Sequence, residues 1–305
     1  MIRLERSMLF VPASQRRMIE KAAASAADGV CLDLEDSVPI TDKPGARDIA
    51  ARAFREVDFG NRARILRING LDTPFAYRDL VDVVEAAGAH IDLVMLPKAS
   101  GREDVLFVQT MLQQIEQTKG FERAIGIEAQ IETAAGFLAA PEIAKASPRL
   151  EALIFGPGDY AASMQMPSEG IGEFDAHDAA YPGHRWHAVM QTIVASARVN
   201  GLRAIDGPYA GFKDEAGFAR SCAIARVMGF DGKQCIHPAQ LAGANGAFTP
   251  GAEEISRAKR IVQAYEEAAA EGRGAAQLDG KMIDAANLRM CRVILEKQRQ
   301  IHGAS

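Results

Sequence analysis

Two acids in this chain each close an apolar, strand-like run. Glu132 follows Arg123-Ala-Ile-Gly-Ile-Glu-Ala-Gln-Ile131, and Asp159 follows Ala152-Leu-Ile-Phe-Gly-Pro-Gly158. A third run, Arg64-Ile-Leu-Arg-Ile-Asn-Gly70, carries Arg67 inside β-rich sequence. Two carboxylates can hold a hard divalent cation such as Mg²⁺, which prefers oxygen ligands, keeps several waters and takes one or two protein carboxylates. Positions left on the ion would then suit a chelating 2-oxo acid. A guanidinium beside it could stabilise a developing oxyanion. The competing reading makes each acid a helix cap or surface acid, and Arg67 half of a buried ion pair, because a charge inside an apolar strand is rarely buried unpaired.

Other candidates surround this trio. Glu35 and Asp36 could steady metal-bound waters from behind the ligands, or cap the next helix. Lys98, after Leu96-Pro97, invites a Schiff-base role, but an ion pair is the better expectation because the metal site already supplies an electrophile. His237, in Cys235-Ile-His-Pro238, is as readily structural as substrate-binding. Gln15-Arg16-Arg17 and Lys21 follow the first strand-like run, where cations could hold phosphates; a solvated helix face is the plainer reading.

The elements that must position these residues alternate. Strand-like runs at Ser7–Pro12, 29–36, 64–70, 93–98, 123–132, 152–159, 202–208 and 232–238 are separated by helical patterns. Such alternation argues for parallel βα units, and this number of units closes a (β/α)8 TIM barrel. The carboxyl ends of its strands would then gather Arg67, Glu132 and Asp159 at one mouth. No G-x-G-x-x-G follows the first strand, which removes the dinucleotide-binding open sheet. Gly156-Pro-Gly158 reads as a tight turn carrying Asp159. Residues 163–183 read as a long loop, and a helix is expected over 141–145. The expected organisation is a catalytic barrel over 1–248 and a C-terminal helical lid over 249–305.

The bulk composition fits an enzyme of this kind. The net charge of −5 gives no reason to expect nucleic acid or an anionic membrane as partner. The 4 cysteines form no C-x-x-C pair and have no metal-ligand spacing, so reduced thiols in a cytoplasmic protein are expected. Met8-Leu-Phe-Val-Pro12 is too short for a signal segment.

At this point the order of motifs resembles a known family. Met8-Leu-Phe-Val-Pro-Ala-Ser14, Leu32-Asp-Leu-Glu-Asp-Ser-Val38, Leu66-Arg-Ile-Asn-Gly70, Leu96-Pro-Lys98, Ile131-Glu-Thr133, Gly158-Asp-Tyr160 and Gly280-Lys-Met-Ile-Asp284 follow the pattern of the citrate lyase β-subunit-like family (HpcH/HpaI aldolases). Within it, Arg67-Ile-Asn-Gly-Leu-Asp-Thr73, Asp159-Tyr-Ala-Ala-Ser163 and Ile205-Asp-Gly-Pro208 look most like malyl-CoA and β-methylmalyl-CoA lyases. The resemblance implies reversible Mg²⁺-dependent cleavage (Mn²⁺ substituting) of such a CoA thioester into glyoxylate and acetyl-CoA or propionyl-CoA.

Carried over residue by residue, the resemblance makes Glu132 and Asp159 the metal ligands. Arg67 would act on the thioester oxygen, and Asp284 would be the general base. Phe10, Arg16, Lys21, Gly158, Ile236 and His237 would bind CoA and substrate. It also implies a homo-oligomer, trimer or hexamer, in which the lid reaches a neighbouring subunit. Gln15 departs from the arginine of many relatives, and the 163–183 loop is shorter. A malyl-CoA thioesterase or citramalyl-CoA lyase on the same site is the near alternative; a non-catalytic CoA-binding protein is the distant one.

Overall fold

The computed structural model of the chain describes residues 3–180 and 184–303; the tip of the expected loop, Tyr181–Gly183, lies outside the described residues, as do the first two and last two residues of the chain. The strands Ser7–Pro12 (β1), Gly29–Asp33 (β2), Ala63–Arg67 (β3), Leu93–Leu96 (β4), Gly126–Ile131 (β5), Leu150–Phe155 (β6), Arg203–Asp206 (β7) and Gly232–Cys235 (β8) form a closed barrel in sequence order. Every neighbouring pair runs parallel, and β1 meets β8 through Ser7↔Lys233. The strands read as nearly unbroken apolar runs because both faces are covered, as a parallel sheet requires. All of β2 and β5 is buried. Alternate side chains fill the barrel: Met8, Cys31, Ile65, Met95, Ile154 and Ile205 share one cluster, with Phe10 packed against it.

The helices of this unit are Arg16–Ala23 (α1), Lys43–Glu56 (α2), Ala76–Arg78 (α3), Glu85–Ala87 (α4), Arg102–Lys119 (α5), Ala134–Ala144 (α6), Pro157–Ser163 (α7), His187–Val199 (α8) and Glu215–Met228 (α9). A π-helical stretch, Asp79–Val84, joins α3 to α4. Two sequence expectations need correction. Helix α6 starts well before residue 141, because Thr133 caps it: its Oγ1 accepts the Gly136 N–H at 2.9 Å. The Gly156-Pro-Gly158 stretch is not a free turn but the entry to α7, with Pro157 at the first helical position, where its missing N–H costs nothing. Leu241–Phe248 is helical (α10) although its Gly/Ala-rich sequence has no amphipathic pattern.

The chain forms two compact units, the first ending at Asn245 and the second beginning at Gly246. The second holds Ala252–Ala270 (α11), an antiparallel hairpin of Ala276–Leu278 (β9) and Lys281–Ile283 (β10), and Ala285–Gly303 (α12). Ala258, Ile261, Ala268, Ala276, Ile283 and Cys291 make its own small core. The hairpin, turning through Asp279 (φ 50) and Gly280 (φ 72), was not expected from a stretch that reads as a lead-in to the last helix. No described helix is long and apolar enough to cross a membrane.

Candidate active site

The carboxyl ends of β2, β3, β4 and β5, with the start of α7 after β6, bring the predicted acids and the arginine into one cluster. Arg67 ends β3 in register with Asp33, which ends β2. The guanidinium clamps that carboxylate with both prongs, Nε–Oδ1 and Nη2–Oδ2 each at 2.7 Å. Burial works against the Asp33 carboxylate, but Arg67 outweighs it and holds its pKa below the ordinary aspartate value. The remaining terminal nitrogen, Nη1, lies 3.1 Å from Glu35 Oε2. Phe10, from β1, lies under the guanidinium, 5.0 Å from ring centre to Cζ. Arg67 is therefore both a buried ion pair and a member of the candidate site, so the two sequence readings describe one residue.

Glu132 follows β5 directly and is 1% exposed. Its Oε1 accepts the main-chain N–H of Lys98 at 2.7 Å, and its Oε2 accepts Gln130 Nε2–H at 2.6 Å. Burial, then the nearby charges of Glu35 and Asp159, push the Glu132 carboxyl up to about 7. Close approach of the next strand end requires Gly156, since a Cβ there would meet Glu132 Oε2 at 2.3 Å. Asp159 sits in the first turn of α7 rather than at a strand end.

Lys98 ties these acids together. Its ammonium bonds Glu35 and lies 3.6 Å from Asp159 Oδ2 and 3.9 Å from Asp36 Oδ1. Lys98 takes a left-handed backbone conformation, φ 49, uncommon for a residue with a side chain. Asp36 is exposed, whereas Glu35 is buried. Burial raises the Glu35 pKa, and Asp36 adds to the rise against Arg67 and Lys98. Glu35 Oε2 accepts no well-aligned hydrogen bond, although Arg67 Nη1 stands 3.1 Å away.

The donor set suits a hard divalent cation. Three acids crowd one another and one of them is forced toward neutrality; a dication would relieve both. Each bonded oxygen of Glu132 keeps a lone pair for such an ion. Among the described residues no three His, Cys, Asp or Glu side chains form a ready-made metal cage.

The remaining predicted residues stand as follows. Gly158 lies in the first turn of α7, next to Asp159, where a Cβ would come 3.3 Å from Ile171. Ile236 and His237 follow β8 and are exposed; the His237 ring stacks on Phe212 at 4.8 Å, and its Nδ1 accepts the Ala239 N–H at 3.2 Å. Arg16 opens α1 and pairs with Glu20 at 2.8 Å and Glu56 at 3.0 Å. Lys21 is exposed on the same helix. Asp284 belongs to the second unit, where its Oδ1 accepts the N–H groups of Ala286 (2.8 Å) and Asn287 (3.1 Å), a helix-capping arrangement.

Sequence reasoning passed over Asp33 and Gln130, and took Gly156 only as part of a turn. The β2–β3 register and the closeness of β5 to β6, rather than local spacing, make them matter.

The chain is similar to several known proteins. An "L-malyl-CoA/beta-methylmalyl-CoA lyase" of Rhodobacter capsulatus is 42% identical over 303 residues, covering 97% of this chain and 95% of that protein. A "(3S)-malyl-CoA thioesterase" of Cereibacter sphaeroides is 38% identical over 302 residues, covering 98% and 97%. Among solved structures, the protein CitE of Mycobacterium tuberculosis, in complex with magnesium, acetoacetate and coenzyme A, superimposes with a TM-score of 0.75 at 29% identity, covering 95% of this chain and 97% of its own. A citrate lyase of Burkholderia xenovorans, at 19% identity and a TM-score of 0.83 over 99% and 93%, shares the fold. The profile of one family spans residues 6–238, nearly the entire barrel. With those residues matched and such relatives covering almost its full length, the chain belongs to the HpcH/HpaI aldolase/citrate lyase family.

Proposed function

We propose that the chain is an Mg²⁺-dependent carbon–carbon lyase. It cleaves malyl-CoA, and also β-methylmalyl-CoA, reversibly to glyoxylate and acetyl-CoA or propionyl-CoA. The observation that carries this reading is the buried, overcrowded carboxylate Glu132 beside Asp159, with the clamped Arg67 joined to it through Glu35 and Lys98. The relatives' names supply the substrate class.

Glu132 and Asp159 would hold Mg²⁺, with Glu35 and Asp36 behind them; Mn²⁺ would substitute. The ion would supply Lewis acidity toward the carbonyl of the 2-oxo acid. Arg67, fixed by Asp33, keeps one nitrogen outside that clamp, beside Glu35, and would stabilise negative charge on the thioester oxygen without reorganising. In the condensation direction Asp284 would take the proton from the acyl-CoA α-carbon, delivered from a neighbouring copy within a trimer or hexamer. Phe10, Arg16, Lys21, Gly158, Ile236 and His237 would line the CoA path. On this reading residues 1–248 are the catalytic barrel and 249–305 its lid. A cytoplasmic location fits the four cysteines, all free and buried.

The test is direct. Incubated with malyl-CoA and Mg²⁺, the protein should release glyoxylate, trapped as its phenylhydrazone, and EDTA should stop the release. Glu132→Ala should lose at least about a thousandfold in kcat while circular dichroism stays native. Full turnover in that variant with EDTA present sinks the metal reading. The 38%-identical thioesterase relative favours one second reading, hydrolysis on the same site. Free malate with CoA, and no glyoxylate, would decide for it.

A further inference from the structure

Lys98 is the one residue of the acid cluster that the proposed chemistry leaves without a task. It touches every acid there. Its ammonium bonds Glu35 and stands 3.6 Å from Asp159 and 3.9 Å from Asp36, while its main-chain N–H holds Glu132. Of the other cations here, Arg67 is clamped on Asp33 with one nitrogen 3.1 Å from Glu35, and Lys43 is bonded to the main-chain carbonyls of Leu34 and Glu35. So the charge facing Asp159 is supplied by one flexible side chain reaching across from the end of β4.

We propose that Lys98 is a tethered stand-in cation: its ammonium occupies the acid cluster until a divalent ion arrives, then withdraws toward Glu35, and so sets the affinity of the site. This rests on the metal reading above. The asymmetry of the two contacts supports it. Glu35 is buried, with 7% of its side chain exposed, and bonds the ammonium; Asp159 has 41% exposed and lies beyond hydrogen-bond length. The long contact is the one that breaks. A lysine tail on four rotatable carbons can make that small swing, whereas a planar, clamped guanidinium cannot. The left-handed backbone at Lys98 serves the same arrangement, since it aims the N–H at Glu132 while the side chain runs to the acids opposite.

The purpose of such a device is reversible metal exchange. Without Lys98 the cluster of Glu35, Asp36, Glu132 and Asp159 would destabilise the metal-free protein and grip a dication tightly. With it, one of those four negative charges is offset, and the ion must displace a like charge.

The experiment titrates Mg²⁺ calorimetrically into EDTA-treated, dialysed full-length protein, with Mn²⁺ followed by electron paramagnetic resonance. Lys98→Met should bind either ion about tenfold more tightly than wild type, because a like charge within a few ångströms has been removed. Its metal-free Tm should fall, and saturating Mg²⁺ should raise its Tm by more than in wild type. Lys98→Arg, which keeps a cation, should stay within about threefold of wild type. Equal or weaker ion binding by Lys98→Met makes Lys98 a structural prop and overturns the inference.

Should Lys98→Met fail to fold, Lys98→Gln carries the same expectation. Failure of both to fold even in saturating Mg²⁺ also overturns it, since the dication should replace the missing charge. The metal reading fails differently: wild type then takes up no ion, or Glu132→Gln takes it up as well as wild type does.

Discussion

Arg67 shows how one residue can be both a structural and a functional group. Its fork is spent on Asp33, so the nitrogen left toward Glu35 is held rigidly. Removing it would leave the Asp33 carboxylate buried without a cation. We expect Arg67→Ala to cost about 3–5 kcal/mol of stability, read as a large drop in Tm, and to say little about chemistry. Arg67→Lys is the informative change. It keeps the charge and loses the two-pronged clamp, so the protein should remain folded while kcat falls roughly a hundredfold. Unchanged kcat would remove Arg67 from the reaction. The sequence makes Arg67 conspicuous as a charge in an apolar strand. It does not name its partner, because Leu32-Asp-Leu-Glu-Asp36 offers three acids and only the β2–β3 register selects Asp33. Lys98 is legible as an ion pair, but its reach to several acids comes from a backbone conformation that no local signal demands.

At the scale of elements, strand ends do the positioning. The eight strands are readable because parallel, doubly covered strands are written as apolar runs punctuated by helices. The crossings between neighbouring strand ends are not readable, and one of them shapes the site. Gly156, leaving β6, passes so near β5 that a Cβ would lie 2.3 Å from Glu132 Oε2 and 2.5 Å from Glu132 Cβ. Helix α7 begins at the next residue and carries Asp159, so this crossing sets the spacing of the two acids. Gly156→Ala should cost about 1–3 kcal/mol through overpacking, leaving the barrel folded. Its distinctive effect should be on the ion: Mg²⁺ affinity lower by about tenfold or more, measured by calorimetry. Native affinity in that variant would mean that Glu132 tolerates displacement, and that the acids are not the ligand set. The tail is harder to read than the barrel, since β9 and β10 are short, half-exposed strands whose hairpin depends on left-handed residues at Asp279 and Gly280.

At the scale of the barrel, the amino ends of the strands carry a second buried charge network, remote in sequence from end to end. Arg203, first in β7, pairs with Glu5 just before β1, with Glu128 in β5 at 2.9 Å and with Glu151 in β6 at 3.0 Å. Arg3 adds a contact to Glu151 at 3.3 Å. Glu5 and Glu128 lie within hydrogen-bond reach of each other, and each keeps one buried oxygen, Oε1 and Oε2 respectively, with no donor. Burial is the main cause that raises both pKa values against the pull of Arg203. A proton shared between the two acids would supply the missing donor. The native state then binds more protons than the unfolded chain above the ordinary carboxylate range, so this network loses stability as pH rises through the raised pKa. One such proton is worth up to ~1.4 kcal/mol per pH unit. Glu128→Gln keeps the shape and an acceptor for Arg203, supplies an N–H to Glu5, and removes one of the crowded charges. Its stability should therefore fall less steeply than that of wild type as pH rises above the ordinary carboxylate range, with the two curves converging or crossing. Urea denaturation across that range measures it. Parallel curves would mean that both acids are ionised in the native barrel and that Arg203, with Arg3, balances them unaided.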